Sequence, residues 1–163
     1  MSGARLIQGE PSSAHTRVAI VASRFNEFVV SGLVKGAIGA WIRHGGTEDD
    51  LLIARVPGAF ELPVVARQLA RSGEYKAIVA LGCVIRGDTA HFEYVAGECA
   101  RGLQDVSLET GIPIAFGVLT TETVEQALER AAPGGSNKGG EAMEVALEVA
   151  DLLAKLPAER ATS

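Results

Sequence analysis

Ala77-Ile78-Val79-Ala80-Leu81-Gly82-Cys83-Val84-Ile85 is a nine-residue run without a charged side chain, and it passes directly into Arg86-Gly87-Asp88-Thr89-Ala90-His91. A short uncharged run of this kind reads as a strand buried on both faces, as parallel sheets require. In such sheets ligands collect in the crevice beyond the carboxyl ends of the strands. The small and hydroxyl residues of the turn would there offer backbone N–H groups to an anion, with the imidazole of His91 facing the same space. The stretch predicts a phosphate site with an acid/base beside it.

The flanking sequence repeats the pattern. Arg17 to Ser23 is a second short apolar run, followed by Val30, Leu33, Val34, Ala37, Ile38, Trp41 and Ile42 at helical spacing, with Gly45-Gly46 as the stop. Leu51 to Val56 reads as a strand and Leu62 to Arg71 as a helix. Beyond the central stretch come a helix over Phe92 to Glu109, a strand over Pro113 to Leu119 and a short helix over Thr123 to Ala131. The loop Pro133-Gly134-Gly135-Ser136 then leads to a terminal helix. Four alternations of strand and helix predict a three-layer α/β/α sandwich around a four-stranded parallel sheet with right-handed crossovers. Residues 17–163 read as one domain, with no repeat or interdomain linker. Residues 1–16 stand outside the pattern as an N-terminal arm, and Ala4 to Gln8 reads either as a flexible arm or as a strand lent to a neighbour.

Composition narrows the function classes. A chain of 163 residues is long enough for one core and at this size buries roughly 70% of its unfolded surface. Its longest uncharged segments fall short of the roughly 18 apolar residues of a membrane helix, and the N-terminus lacks a secretion-type apolar region, so a cytoplasmic protein off the membrane is expected. The net charge of −5 and the scattered basic residues give nucleic acid no footprint. Cys83 and Cys99 lack C-x-x-C spacing and read as buried reduced thiols, so metal and redox roles are disfavoured and no metal is called for. From Glu141 to Leu156 the charges Glu141, Glu144, Glu148, Asp151 and Lys155 fall on one stripe. The rest of that helix is apolar and exceeds what a sheet face covers, which predicts packing against another subunit.

The strand ends hold the candidate functional residues. Phe25, in Ser23-Arg24-Phe25-Asn26, is either a core phenylalanine or a ring face for a flat heterocycle. In Pro57-Gly58-Ala59-Phe60-Glu61-Leu62-Pro63 the small residues allow close ligand approach. Glu61 either accepts hydrogen bonds from polyol hydroxyls or favours the dipole of the following helix. His91 outranks His15, in the unpatterned N-terminal segment, and His44, which ends a helix where a cation suits the dipole. Arg130 is either a helix-end cation or a ligand group, and Lys138 either solvated or functional. Gly134 to Gly140 fails the spacing of a Walker loop, and neither a dinucleotide fingerprint nor a nucleophile elbow is present.

Taken together, Ser23-Arg24-Phe25-Asn26, Pro57 to Pro63, Gly82 to Phe92, Gly117-Val118-Leu119-Thr120-Thr121 and Asn137-Lys138-Gly139 resemble the lumazine synthase family over about Arg17 to Leu156. The resemblance implies flavodoxin-like winding. It also implies condensation of 5-amino-6-ribitylaminouracil with 3,4-dihydroxy-2-butanone 4-phosphate to 6,7-dimethyl-8-ribityllumazine, phosphate and water, the penultimate step of riboflavin biosynthesis, without a cofactor. It assigns stacking on the pyrimidine to Phe25, the ribityl chain to Ala59 and Glu61, the ring pocket to Val84 and Ile85, and phosphate to the turn Gly87-Asp88-Thr89. Asn26, Gly58 and Phe60 complete that binding set, and His91 is the acid/base. Phe116, Arg130 and Lys138 are expected from the adjacent subunit, with Arg130 on the phosphate. The family forms pentamers and in some members sixty-subunit shells, with a functional link to riboflavin synthase; the eight positions from Arg130 to Lys138 match the shell-forming spacing. The alternative is a non-catalytic flavin- or lumazine-binding or shell-forming relative. Retention of His91, Arg130 and Lys138 argues against it, because storage needs no proton shuttle.

Overall fold

Strands β1 (Val18–Ser23), β2 (Leu51–Val56), β3 (Ala77–Ile85) and β4 (Ile114–Thr121) pair in parallel in the order β2-β1-β3-β4. The computed structural model describes residues 3–88, 90–134 and 136–160. Thr89, expected in the phosphate turn, and Gly135 of the Pro-Gly loop lie outside the described residues. In the register, Ile20 stands opposite Ile53 on one side and Val79 on the other, and Leu81 opposite Gly117. The expected four-stranded parallel sheet with flavodoxin-like order is present.

The apolar runs explain the layering. Every residue of β1 is buried, and alternate side chains point to opposite faces. Val18, Ile20 and Ala22 join the core under α1 (Glu27–Arg43) and α5 (Lys138–Lys155), together with Trp41, Leu33, Met143 and Leu147. Ala19 and Val21 face the other core, built with Leu62 of α2 (Leu62–Arg71) and Cys99 and Leu103 of α3 (His91–Thr110). The short α4 (Val124–Arg130) follows β4. Helix α5 starts at Lys138, three residues before its charge stripe, because Asn137 caps it by accepting from the N–H groups of Gly139 and Gly140.

Helices α1 and α5 pack closely. A methyl group on Gly139 would lie 2.0 Å from the Leu33 carbonyl oxygen, so only glycine permits this approach. The C-terminal cap of α1 is tied to the first half of α5, with His44 Nε2 and Glu144 Oε2 2.8 Å apart. The N-terminal segment runs over the same layer without helix or strand. The Ser13 hydroxyl donates to the Trp41 carbonyl at 2.8 Å, and the Glu10 N–H donates to Asp151 Oδ2 at 2.8 Å.

Both sheet edges carry exposed apolar side chains, Leu52 and Ile53 on β2 and Phe116 on β4. Helix α5 buries Ala142, Met143, Ala146 and Leu147 but leaves Val145 54% and Leu153 46% exposed. These two line a groove of about 310 Å³ with Leu108 and Ile114. The apolar surplus read from the sequence therefore lies along the open β4 side. Among the described residues no helix is long and apolar enough to cross a membrane.

The bond to His44 holds the Glu144 carboxyl below its ordinary range, with Arg43 adding to the shift. A depressed carboxylate contributes stability that is present above its unfolded-state value and disappears as pH falls through the folded one. Glu144→Gln should therefore lower the unfolding midpoint at neutral pH. Its difference from the parent should close below about pH 4.3, the ordinary glutamate value, in thermal melts followed by circular dichroism; a constant difference would remove the clasp from the stability account.

Candidate active site

The strand order places the topological switch between β1 and β3, where consecutive connections depart in opposite directions and leave a crevice beyond the strand ends. Three short segments wall it. The β1–α1 connection is only Arg24-Phe25-Asn26, with the Arg24 N–H donating to the Val56 carbonyl at 2.7 Å and that of Phe25 to the Pro57 carbonyl at 3.0 Å. Asn26 adopts a left-handed conformation (φ 62°, ψ 47°), which asparagine tolerates better than most residues. Its amide donates to the Cys83 carbonyl at 2.9 Å, across to β3. Phe25 is 71% exposed, so of its two readings the core one falls away: the ring stands in the crevice.

At the end of β2, Gly58 is extended and the chain makes a single tight turn over Ala59–Glu61 before α2. Glu61 Oε1 accepts from the Gly58 N–H at 2.8 Å. The carboxylate thus closes its own loop rather than sitting in the first turn of α2, and it still lines the cavity. At the end of β3, Val84, Ile85 and Gly87 form the floor, and His91, exposed, opens α3 at the rim. The cavity enclosed measures about 740 Å³ and is also lined by Phe25, Ala59, Phe60 and Tyr94.

Its electrostatics are one-sided. Among the described lining residues the only permanently charged side chain is Glu61, and no lysine or arginine is present. Arg86, beside the turn, is outside the lining: its guanidinium lies 4.6 Å from the ring centroid of Phe92, a wall residue, and pairs with Glu93 and Glu122. Its hydrogen bond holds the Glu93 carboxyl below the usual range. Asp88 is exposed and outside the lining, and Asn26 stands beside the cavity with its amide committed to β3.

Phe116, Arg130 and Lys138 come together in a different place. They line a cavity of about 360 Å³ along the free edge of β4, with Thr120, Glu141 and Val145. Arg130 Nη1 donates to the Gln126 carbonyl at 3.0 Å, and Lys138 Nζ lies 2.9 Å from Glu141 Oε2. The two cavities share no lining residue.

Sequence reasoning missed Phe92, Tyr94 and Val95 as walls of the larger cavity. Tyr94 and Val95 lie three and four positions after His91 on α3, the spacing that shares a helix face. Both cysteines are buried in separate cores, and burial pushes each thiol up to about 11. Among the described residues no cluster of three or more His, Cys, Asp or Glu is arranged to hold a metal.

Fold and site define a doubly wound α/β enzyme for small molecules, with an aromatic crevice wide enough for a flat heterocycle and an imidazole at its rim. Residues 15–154 match the family of 6,7-dimethyl-8-ribityllumazine synthase, and the chain belongs to that family. It is a transferase of riboflavin biosynthesis that forms 6,7-dimethyl-8-ribityllumazine from small-molecule substrates.

Cys83 borders the crevice yet its thiol faces the opposite core, and a thiol with so high a pKa supplies almost no thiolate near neutrality. Incubation with iodoacetamide at pH 8 should leave turnover unchanged, with both cysteines unmodified by mass spectrometry until the protein is unfolded. Rapid inactivation with Cys83 labelled would contradict this.

Proposed function

We propose that 5-amino-6-ribitylaminouracil and 3,4-dihydroxy-2-butanone 4-phosphate react at a site assembled from two copies of the chain. One copy supplies the crevice. Phe25 stacks on the pyrimidine with Val84 and Ile85 against the ring, Gly58, Ala59, Phe60 and Glu61 hold the ribityl chain, and the turn Gly87-Asp88-Thr89 presents backbone donors to the phosphate. The adjacent copy supplies Phe116, Arg130 and Lys138. The observation that carries this reading is the charge of the crevice: its described lining offers a phosphorylated substrate no fixed cation, while the edge cavity holds two. Arg86 does not fill the gap, because two carboxylates face it.

The apolar surface supports the same assembly. Phe116, Leu108, Val145 and Leu153 lie exposed along the β4 side, the surface a neighbour would cover, and the exposed Ala4 to Gln8 segment would be a strand lent across it. Residues 17–163 act as one domain and 1–16 as its arm. A cytoplasmic ring of five follows from the family resemblance, and the eight positions from Arg130 to Lys138 favour closure of rings into a sixty-subunit shell linked to riboflavin synthase.

In the reaction the substrate amine attacks the ketone, water leaves to give an imine, phosphate is eliminated, and the ring closes with loss of a second water. Several protons move at one place, and His91 exchanges them, because an imidazole offers one ring nitrogen that donates and one that accepts. Holding two reactants in register contributes more, up to roughly 7–11 kcal/mol, against about 10²- to 10⁴-fold for the proton transfers.

His91→Ala should therefore lower kcat by no more than about 10⁴-fold with little change in the Michaelis constants. Complete loss in a folded, substrate-binding protein would reverse the ranking of positioning over proton transfer. Strongly impaired His91→Ala and Arg130→Ala chains, unfolded and refolded together, should regain about a quarter of the parent activity, since random neighbours restore one intact pairing in four. No recovery from co-assembled chains would place both residues in one chain's site. Sedimentation of the parent measures whether rings or shells form.

A further inference from the structure

Arg130 ends α4 and Lys138 begins α5, and the described residues between them, 131–134, 136 and 137, belong to no helix or strand. Two cations that grip one phosphate must keep a fixed separation, yet Arg130 and Lys138 share no contact that would set it. Between them lies Asn137, 6% exposed. Its Nδ2 donates to the carbonyls of Ala131 at 2.9 Å, Ala132 at 3.1 Å and, on α1, Gly32 at 3.1 Å. Its Oδ1 accepts from the N–H groups of Gly139 at 2.8 Å and Gly140 at 3.0 Å. Only an amide fits: a nitrogen with two hydrogens must face three carbonyls while an oxygen faces two donors. A carboxylate would set oxygen against oxygen.

We infer that Asn137 is a positioning residue for the phosphorylated substrate, tying the end of α4, the start of α5 and the middle of α1 into one rigid unit that fixes the spacing of Arg130 and Lys138. The residue touches no substrate; it acts through the two cations, and the inference rests on their assignment to phosphate in the shared site. Gly36 of α1 belongs to the same device. A methyl group there would stand 2.0 Å from Asn137 Oδ1 and 2.8 Å from Nδ2, so the amide holds its place only because that position is glycine. Gly36 lines neither the crevice nor the edge cavity. Gly39, one turn further along α1, has no atom within 4 Å of such a methyl and provides the control.

The experiment compares Asn137→Asp, Gly36→Ala, Gly39→Ala and Arg130→Lys in the assembled enzyme. Michaelis constants for both substrates, inhibition by inorganic phosphate, and thermal melts are measured for each. Asn137→Asp and Gly36→Ala should raise the constant for the ketone phosphate at least about tenfold and weaken phosphate inhibition in parallel. The constant for the pyrimidine should hold, and Gly39→Ala should match the parent. Unchanged phosphate recognition in folded variants overturns the inference, as does equal loss for both substrates, which marks a merely structural role. Should Asn137→Asp fail to fold, Gly36→Ala decides alone; failure of both to fold makes Asn137 a folding residue only and also overturns it. Arg130→Lys separates the two levels. If it leaves the ketone phosphate constant unchanged, the shared-site reading itself falls; if it raises that constant while the other two do not, only the role of Asn137 falls.

Discussion

The pairing of β1 with β3 is the constraint on which the rest of the molecule depends. Both strands are interior to the sheet and buried on both faces, so their backbone polar groups depend on the sheet ladders, and those that face each other depend on the one the two strands share. That ladder separates two cores, one under α1 and α5 and one under α2 and α3. It also fixes the gap at the carboxyl ends where the connections part. The hydrogen bond from the Asn26 amide to the Cys83 carbonyl extends the pairing one step beyond the regular strands. The crevice is therefore the visible end of the same interaction that organises the cores.

Charge and apolar surface divide the chain in a complementary way. The crevice is aromatic and its described lining holds one permanent charge, whereas the edge of β4 holds Arg130, Lys138 and a band of exposed hydrophobic side chains. Taken alone, one copy shows a pocket whose described lining holds no lysine or arginine, and cations beside uncovered apolar surface. The proposed two-copy site answers both with one contact. It also accounts for the composition of α5, whose inner residues fill a core while Val145 and Leu153 remain outside it.

Much of this was legible in the sequence because uncharged runs between helical periodicities leave few folds open. β3 was read at its full length, and β1 and β2 to within a residue. β4 runs two residues past its expected end, since Thr120 and Thr121 look like loop residues until their pairing with Val84 and Ile85 is seen. The start of α5 was hidden because Gly139 and Gly140 look like loop when their role is to let α1 approach. In the site, Phe25 and Glu61 each had two readings that composition could not separate; exposure removes the core reading of the first and a hydrogen bond to Gly58 qualifies the second. The separation of the crevice from the Arg130 cavity was not legible in the residues themselves. It depends on which strand lies at the sheet edge, a tertiary fact that the motifs do not encode and that only the family resemblance anticipated.

The three-residue connection after β1 has a kinetic meaning. Arg24, Phe25 and Asn26 are each anchored to β2, its following turn or β3, so this wall of the crevice has no slack and no loop that must close over an arriving ring. Ordering a flexible segment typically takes about 1–2 kcal/mol per residue in lost backbone freedom, and here that cost was met when the sheet formed. An aromatic face held open in this way can capture a heterocycle at the rate of encounter rather than at the rate of a conformational change.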